Sequence, residues 1–297
     1  MSWEKSINEF KSFLKIERSL SENSVSAYLS DINKLRLHAE HLGKSDIQVT
    51  KNDIVDFINV MCNEGLKPRT QSRVISAIKS FYKFLILEDY INLNPTDLIE
   101  VPAQGFKLPQ ILSIEEIDLL LNSIDLSKPN GHRNRAMLEV LYSCGLRVSE
   151  LINLKISNIN KLDGYIRIIG KGNVERLTPI GITALKFLYF YIDQVRFKQK
   201  INKEFIDFVF LNNRGSRLSR VMIFHLIRKL SDQVNINKQV SPHTFRHSFA
   251  THLIERGANL RAVQEMLGHK NITTTEIYTH LDKDYLRSNI IKYHPRS

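Results

Sequence analysis

Tyr165-Ile166-Arg167-Ile168-Ile169-Gly170-Lys171-Gly172-Asn173-Val174-Glu175-Arg176-Leu177-Thr178-Pro179 is the stretch on which the fold turns. Its first five residues are aromatic or β-branched at every position but Arg167, which suits a pleated, half-buried surface. Gly170 to Asn173 is turn chemistry and Val174 to Pro179 is extended again, so the stretch predicts a β-hairpin. A nucleotide-binding loop would also place Gly and Lys here, but it is excluded. Five residues, not four, separate Gly164 from Gly170; Lys171 is followed by Gly172 rather than Ser or Thr; and a strand follows instead of a helix. Lys171 is then either a solvated hairpin tip or a side chain that reaches into a nucleic-acid groove.

Outward from the hairpin the chain reads as helix. Ser113-Ile114-Glu115-Glu116 has the form of a capping box, and helices follow around 131–145 and 147–154. Helices also dominate from 181 onward, with a short strand expected at Phe208–Leu211. Upstream, Pro95, Pro102 and Pro109, with Gly105 and Lys107 among them, mark an extended connection. Before it, Ser21 and Ser24 can cap a stripe through Val25, Tyr28, Leu29, Ile32 and Leu35. Thr50 precedes Ile54, Phe57, Ile58 and Met61, a run that stops at Gly65. A third run carries Val74, Ile78, Phe81, Tyr82 and Leu85. With no strand alternation, this part reads as a bundle of about four helices. The expected fold is mainly α with a small β-hairpin or sheet in the C-terminal domain: a helical domain over 1–100, a linker over 101–112 and a second domain over 113–297.

The 297 residues suit two domains, and no internal repeat is visible. A hydrophobic content of 42%, with 12 Gly and 8 Pro, excludes collagenous and disordered classes. There is no apolar run long enough for a transmembrane helix, and Met1-Ser2-Trp3-Glu4-Lys5 does not begin a signal peptide. Cys62 and Cys144 are too few and too far apart for a disulfide framework or a cysteine zinc site; they suit a reducing cytosol, so a cytoplasmic location is expected. The net charge of +11 is unevenly placed: residues 1–105 carry 13 Lys/Arg against 14 Asp/Glu, and residues 106–297 carry 29 against 17. A basic second domain fits a polyanionic partner such as nucleic acid, or simply a soluble basic surface.

Five further features carry chemistry. In His243-Thr244-Phe245-Arg246-His247, after Ser241-Pro242, the proline favours a helix start, and His243 and Arg246 share a face at i,i+3. Such a pair near a helix N-terminus forms an anion site. A zinc-protease helix would need Glu where Thr244 stands. Leu267-Gly268-His269 ends the apolar segment Leu260, Val263, Leu267, and its His is either functional or a helix cap. Tyr278 lies nine positions on and could be ordinary packing. Arg147 and Glu150 are at i,i+3, either as a surface ion pair or as a carboxylate fixing an arginine fork that grips phosphate. Finally, Lys67, Arg69, Arg73, Lys79 and Lys83 lie on one segment, as a solvated face or a DNA contact.

Together these residues resemble the catalytic set of the tyrosine recombinases of the Xer/lambda-integrase family. The matching boxes are Arg147-Val148-Ser149-Glu150-Leu151, Gly170 to Arg176, His243 to His247, 267–269 and the segment holding Tyr278. The resemblance covers essentially the whole chain and is closest to the Xer type. It implies a two-domain clamp, a helical core-binding domain plus a catalytic domain, closing on duplex DNA with paired half-sites. It implies Tyr278 as the nucleophile that forms a 3′-phosphotyrosyl intermediate, Arg147, Arg246 and His269 around the phosphate, His243 in proton transfer at the tyrosine oxygen, and Lys171 as the acid for the leaving 5′-oxygen. Glu150 and His247 take supporting roles. No cofactor or metal is implied. The Xer type implies chromosome dimer resolution at cell division, a homo- or heterotetramer with a second Xer-type recombinase, and activation by the translocase FtsK. The alternative with the same chemistry is an integrase of a phage or mobile element. The resemblance also implies that the terminal helix, with its Leu286, Ile290, Tyr293 stripe, docks into a neighbouring subunit; packing on its own domain is the other option.

Overall fold

A computed structural model describes residues 2–101, 110–170, 175–268 and 280–297, the first five of the last segment as backbone only. The chain divides into two compact units, Met1–Lys107 and Leu108–Ser297.

Among the described residues the first unit holds four α-helices: α1 (Trp3–Ile16), α2 (Glu22–His41), α3 (Lys51–Asn63) and α4 (Pro68–Leu87). Local chemistry sets their starts. Ser21 accepts from the Ser24 amide, Thr50 and Asp53 form a capping box, and Pro68 occupies the first turn of α4. The core is aromatic, with Phe10 edge-on to Phe81 at 5.2 Å between ring centroids. Of the basic residues expected on one face, Arg73 is committed within the unit: it pairs with buried Asp31 and donates to Ala27 O.

The second unit begins its packing earlier than 113. Leu112 is fully buried in its core, and its amide donates to Ser248 Oγ at 2.9 Å. Its helices are α5 (Ile114–Asn122), α6 (Gly131–Ser143), α7 (Val148–Ile152), α8 (Ile182–Phe190), α9 (Arg220–Gln233), α10 (Pro242–Glu255), α11 (Leu260–Leu267) and α12 (His280–Tyr293). The Ser113/Glu116 capping box starts α5 as expected. The hairpin is formed by β2 (Tyr165–Ile169) and β3 (Glu175–Pro179), antiparallel with Ile168 opposite Arg176; a short β1 (Ile159–Asn160) adds to the free edge of β2.

One expectation changes, and of the two options for the terminal helix one is seen. Phe208–Leu211 is not a strand: it makes only isolated bridges, Lys155 to Phe208 and Leu211 to Arg217. Its buried backbone finds other partners. Val209 N donates to Leu154 O, and Arg196 and Arg133 donate to the carbonyls of Phe208 and Leu211, both at 3.0 Å. The stripe of α12 is covered by its own unit, with Leu286 and Ile290 each 1% exposed inside the core. Beyond α12, Arg296 donates to both oxygens of Glu139, at 3.0 and 2.6 Å, and also pairs with Asp118.

Candidate active site

The site is built where α6, α7, β3, α10 and α11 end or begin. After α6 the chain turns at Gly145, with φ +56; a Cβ there would lie 2.4 Å from the Phe249 ring, so only glycine fits. Two residues later Arg147 is the extended N-cap of α7. Glu150, at the third helical position, reaches back to the Arg147 amide at 2.8 Å and takes Arg147 Nη1 at 2.8 Å. The pair is therefore no simple surface contact: Glu150 is 4% exposed at its side chain and Arg147 is 38% exposed.

Glu150 has a second partner that sequence reasoning did not single out. Arg176, on β3, donates Nη1 and Nη2 to the two carboxylate oxygens, both at 2.8 Å. Arg246, on α10, stands 4.0 Å from Glu150 with Nη1, and that nitrogen donates instead to Gly145 O at 2.8 Å. One carboxylate thus lies among three guanidinium groups. Burial would raise the Glu150 pKa, but hydrogen bonds and charge from Arg176 and then Arg147 win and hold it at about 2. Arg246 is lowered to about 10, by burial and then by the charge of Arg147.

The same three arginines cap α11. Its last carbonyls have no partner within the helix and carry the negative end of its dipole. Met266 O accepts from Arg176 Nε at 2.8 Å, Leu267 O from Arg246 Nη2 at 2.7 Å and Gly268 O from Arg147 Nη2 at 3.4 Å. Gly268 closes the helix in the left-handed conformation, φ +67.

Ser241 caps α10 and Pro242 occupies its first turn, so His243 sits at the helix N-terminus as expected. His243 and His247 are exposed. Partial desolvation lowers the His243 pKa, and the positive charges of His247, Arg246 and Arg147 add to it, so the neutral ring is favoured. Of the expected site residues, the structure brings together Arg147, Glu150, Arg246 and His243. Lys171, His269 and Tyr278 lie outside the described residues. Among the described residues no three His, Cys, Asp or Glu side chains are grouped to hold a metal ion, and no helix is long and apolar enough to cross a membrane.

Comparison with known proteins gives consistent matches. Residues 110–284 match the Phage integrase family, and residues 7–89 match the family's N-terminal SAM-like domain. The chain is 42% identical over 292 residues to "Tyrosine recombinase XerD" of Staphylococcus haemolyticus, covering 98% of this chain and 99% of that one. It is 41% identical over 293 residues to the protein of the same name from Staphylococcus aureus, with the same coverage. Among solved structures, a XerH site-specific recombinase bound to palindromic difH substrate, in a post-cleavage complex, matches in fold. Its TM-score is 0.72 at 24% identity, over 95% of this chain and 83% of that one.

Proposed function

Because the chain belongs to the phage integrase family, we propose that it is a site-specific tyrosine recombinase that cuts and rejoins duplex DNA through a 3′-phosphotyrosyl intermediate. The observation that carries the reading is the cluster of Arg147, Arg176 and Arg246 around Glu150. Three positive groups share one negative one, and Arg147 is still open to solvent. A phosphodiester is the anion that such a surplus suits.

In the proposed reaction Tyr278 Oη attacks phosphorus, the Oη–P bond forms and the P–O5′ bond breaks. A free tyrosine has a pKa of ~10 and needs help to lose its proton. His243, favoured as the neutral ring, takes that proton. Lys171 gives a proton to the leaving 5′-oxygen. Arg147 and Arg246, assisted by His269, hold the nonbridging oxygens; Glu150 orients Arg147, and His247 supports. The ester conserves the bond energy, so attack by a 5′-hydroxyl reverses the step and rejoins the strand.

The XerD name of the relatives favours chromosome dimer resolution at cell division over mobile-element integration. The proposed setting is the cytoplasm, the substrate duplex DNA with paired half-sites, and the assembly a tetramer with itself or a second Xer-type recombinase, activated by the translocase FtsK. The test is a suicide substrate nicked near the cleavage point. The parent chain is expected to become covalently bound to it, and Tyr278→Phe to bind without a covalent product. Undiminished covalent product from Tyr278→Phe would remove Tyr278 from the role.

A further inference from the structure

Arg176 is a buried arginine in the strand of a small sheet, where an apolar residue would stabilise the fold at least as well. Its side chain is 5% exposed, so it is out of reach of a bound DNA strand, whereas Arg147 is 38% exposed. What it does instead is join parts. Its two Nη groups take one lone pair from each Glu150 oxygen, which fixes the plane of the carboxylate that holds Arg147. Its Nε takes Met266 O, the first of the three capped carbonyls of α11. Gly268 packs on its stem so closely that a Cβ there would lie 3.0 Å from Arg176 Cδ. In sequence, Arg176 follows Lys171 by five positions in the hairpin, and His269 follows Gly268 directly.

We infer that Arg176 is a positioning residue of the recombinase reaction, a side chain that sets the hairpin carrying Lys171, the Glu150–Arg147 pair and the end of α11 in register with one another. The inference rests on the recombinase reading above. Lysine cannot replace it, because a single ammonium cannot serve both Glu150 oxygens and Met266 O in fixed directions.

The test compares full-length Arg176→Lys and Arg176→Gln with the parent in single-turnover cleavage of the nicked suicide substrate. Arg176→Lys keeps the charge and is expected to bind half-site DNA with the parent's affinity. Its rate of covalent-complex formation at saturating protein should be at least ~10-fold lower, a loss in the chemical step rather than in half-saturation. In Arg176→Gln the buried Glu150 loses its strongest partner and takes a proton more readily. His243 gives parent and variant alike an acid limb as it takes up a proton; in Arg176→Gln the protonation of Glu150 should add to it, so that cleavage falls at a higher pH than in the parent. Two outcomes overturn the inference: variants that cleave at the parent's rate with its pH profile, or a loss of binding and cleavage together that tracks lost thermal stability and leaves the acid limb where the parent has it. If Arg176→Gln does not fold, Arg176→Lys decides alone. A parent that forms no covalent complex overturns the functional reading and the inference with it; a live parent with unaffected variants overturns the inference only.

Discussion

Arg246 Nη1 stands 4.0 Å from Glu150 Oε2, within the range of charge attraction and beyond that of a hydrogen bond. Both of its Nη groups donate to main-chain oxygens, of Gly145 and Leu267. Glu150 therefore balances three arginines while directly binding two. Glu150→Gln keeps the shape and leaves all three uncompensated. Removing one partner of a buried ion pair costs ~3–5 kcal/mol. Calorimetry should show a melting temperature lower by on the order of 10 °C for a unit of this size. Cleavage should drop with it, and DNA binding much less.

The same carboxylate sets an acid limit on stability. Its pKa is about 2 in the folded chain against 4.5 for the free group. A depressed carboxylate contributes stability that is present above the unfolded pKa and lost as pH falls through the folded one. Melting temperature should decline between pH 4.5 and 2, and Glu150→Gln should flatten that decline; parallel curves would show that other groups govern acid unfolding.

Lys171→Ala should cleave ordinary DNA slowly. A substrate with sulfur at the 5′-bridging position has a leaving group that needs no proton, and cleavage of it should be largely restored. Equal impairment on both substrates would give Lys171 a binding role.

Gly145→Ala places a methyl group 2.4 Å from Phe249 Cδ1 at a φ of +56. Left-handed strain costs about 1–3 kcal/mol, and overpacking of the ring adds about as much. The second unit should melt lower. Because Gly145 O is a partner of Arg246, cleavage should also fall further than stability alone explains.

Arg296→Ala removes the pair that fastens the chain end to Glu139, which is 1% exposed and, among the described residues, keeps Arg135 as its ion-pair partner. Hydrogen bonds to charged groups are worth about 1.5–3 kcal/mol, so melting should fall by several degrees; an unchanged melting curve would mean that the clamp adds nothing. Deleting 284–297 would do more than release the chain end, since it removes Leu286 and Ile290 from the core.

Much of this architecture was legible in the residues. Ser113, Thr50, Ser21 and Pro242 start helices by local chemistry, and the hairpin announces itself by turn residues between extended runs. Arg176 was not legible, because a charged residue in a two-stranded hairpin reads as solvated. The faint signal is the alternation of β3, in which Arg176 and Thr178 are buried while Glu175 is exposed and Leu177 half-buried. That inverts the apolar-in pattern and betrays a polar interior partner. Phe208–Leu211 misled for the opposite reason. Val209, Phe210 and Leu211 are buried, yet the carbonyls of Phe208 and Leu211 are served by Arg196 and Arg133 from elsewhere, which no local pattern encodes.

Three guanidinium groups held around one carboxylate also make the unliganded fold its own adversary. One carboxylate does not neutralise three like charges, so they push against the packing that confines them; burial first, and then the charge of Arg147, lower the pKa of Arg246. A polyanion that binds there should relieve the conflict, and occupancy and folding stability would then be linked: DNA is expected to raise the melting temperature of the second unit. Selection for grip on phosphate and selection for a robust apoprotein then pull this cluster in opposite directions.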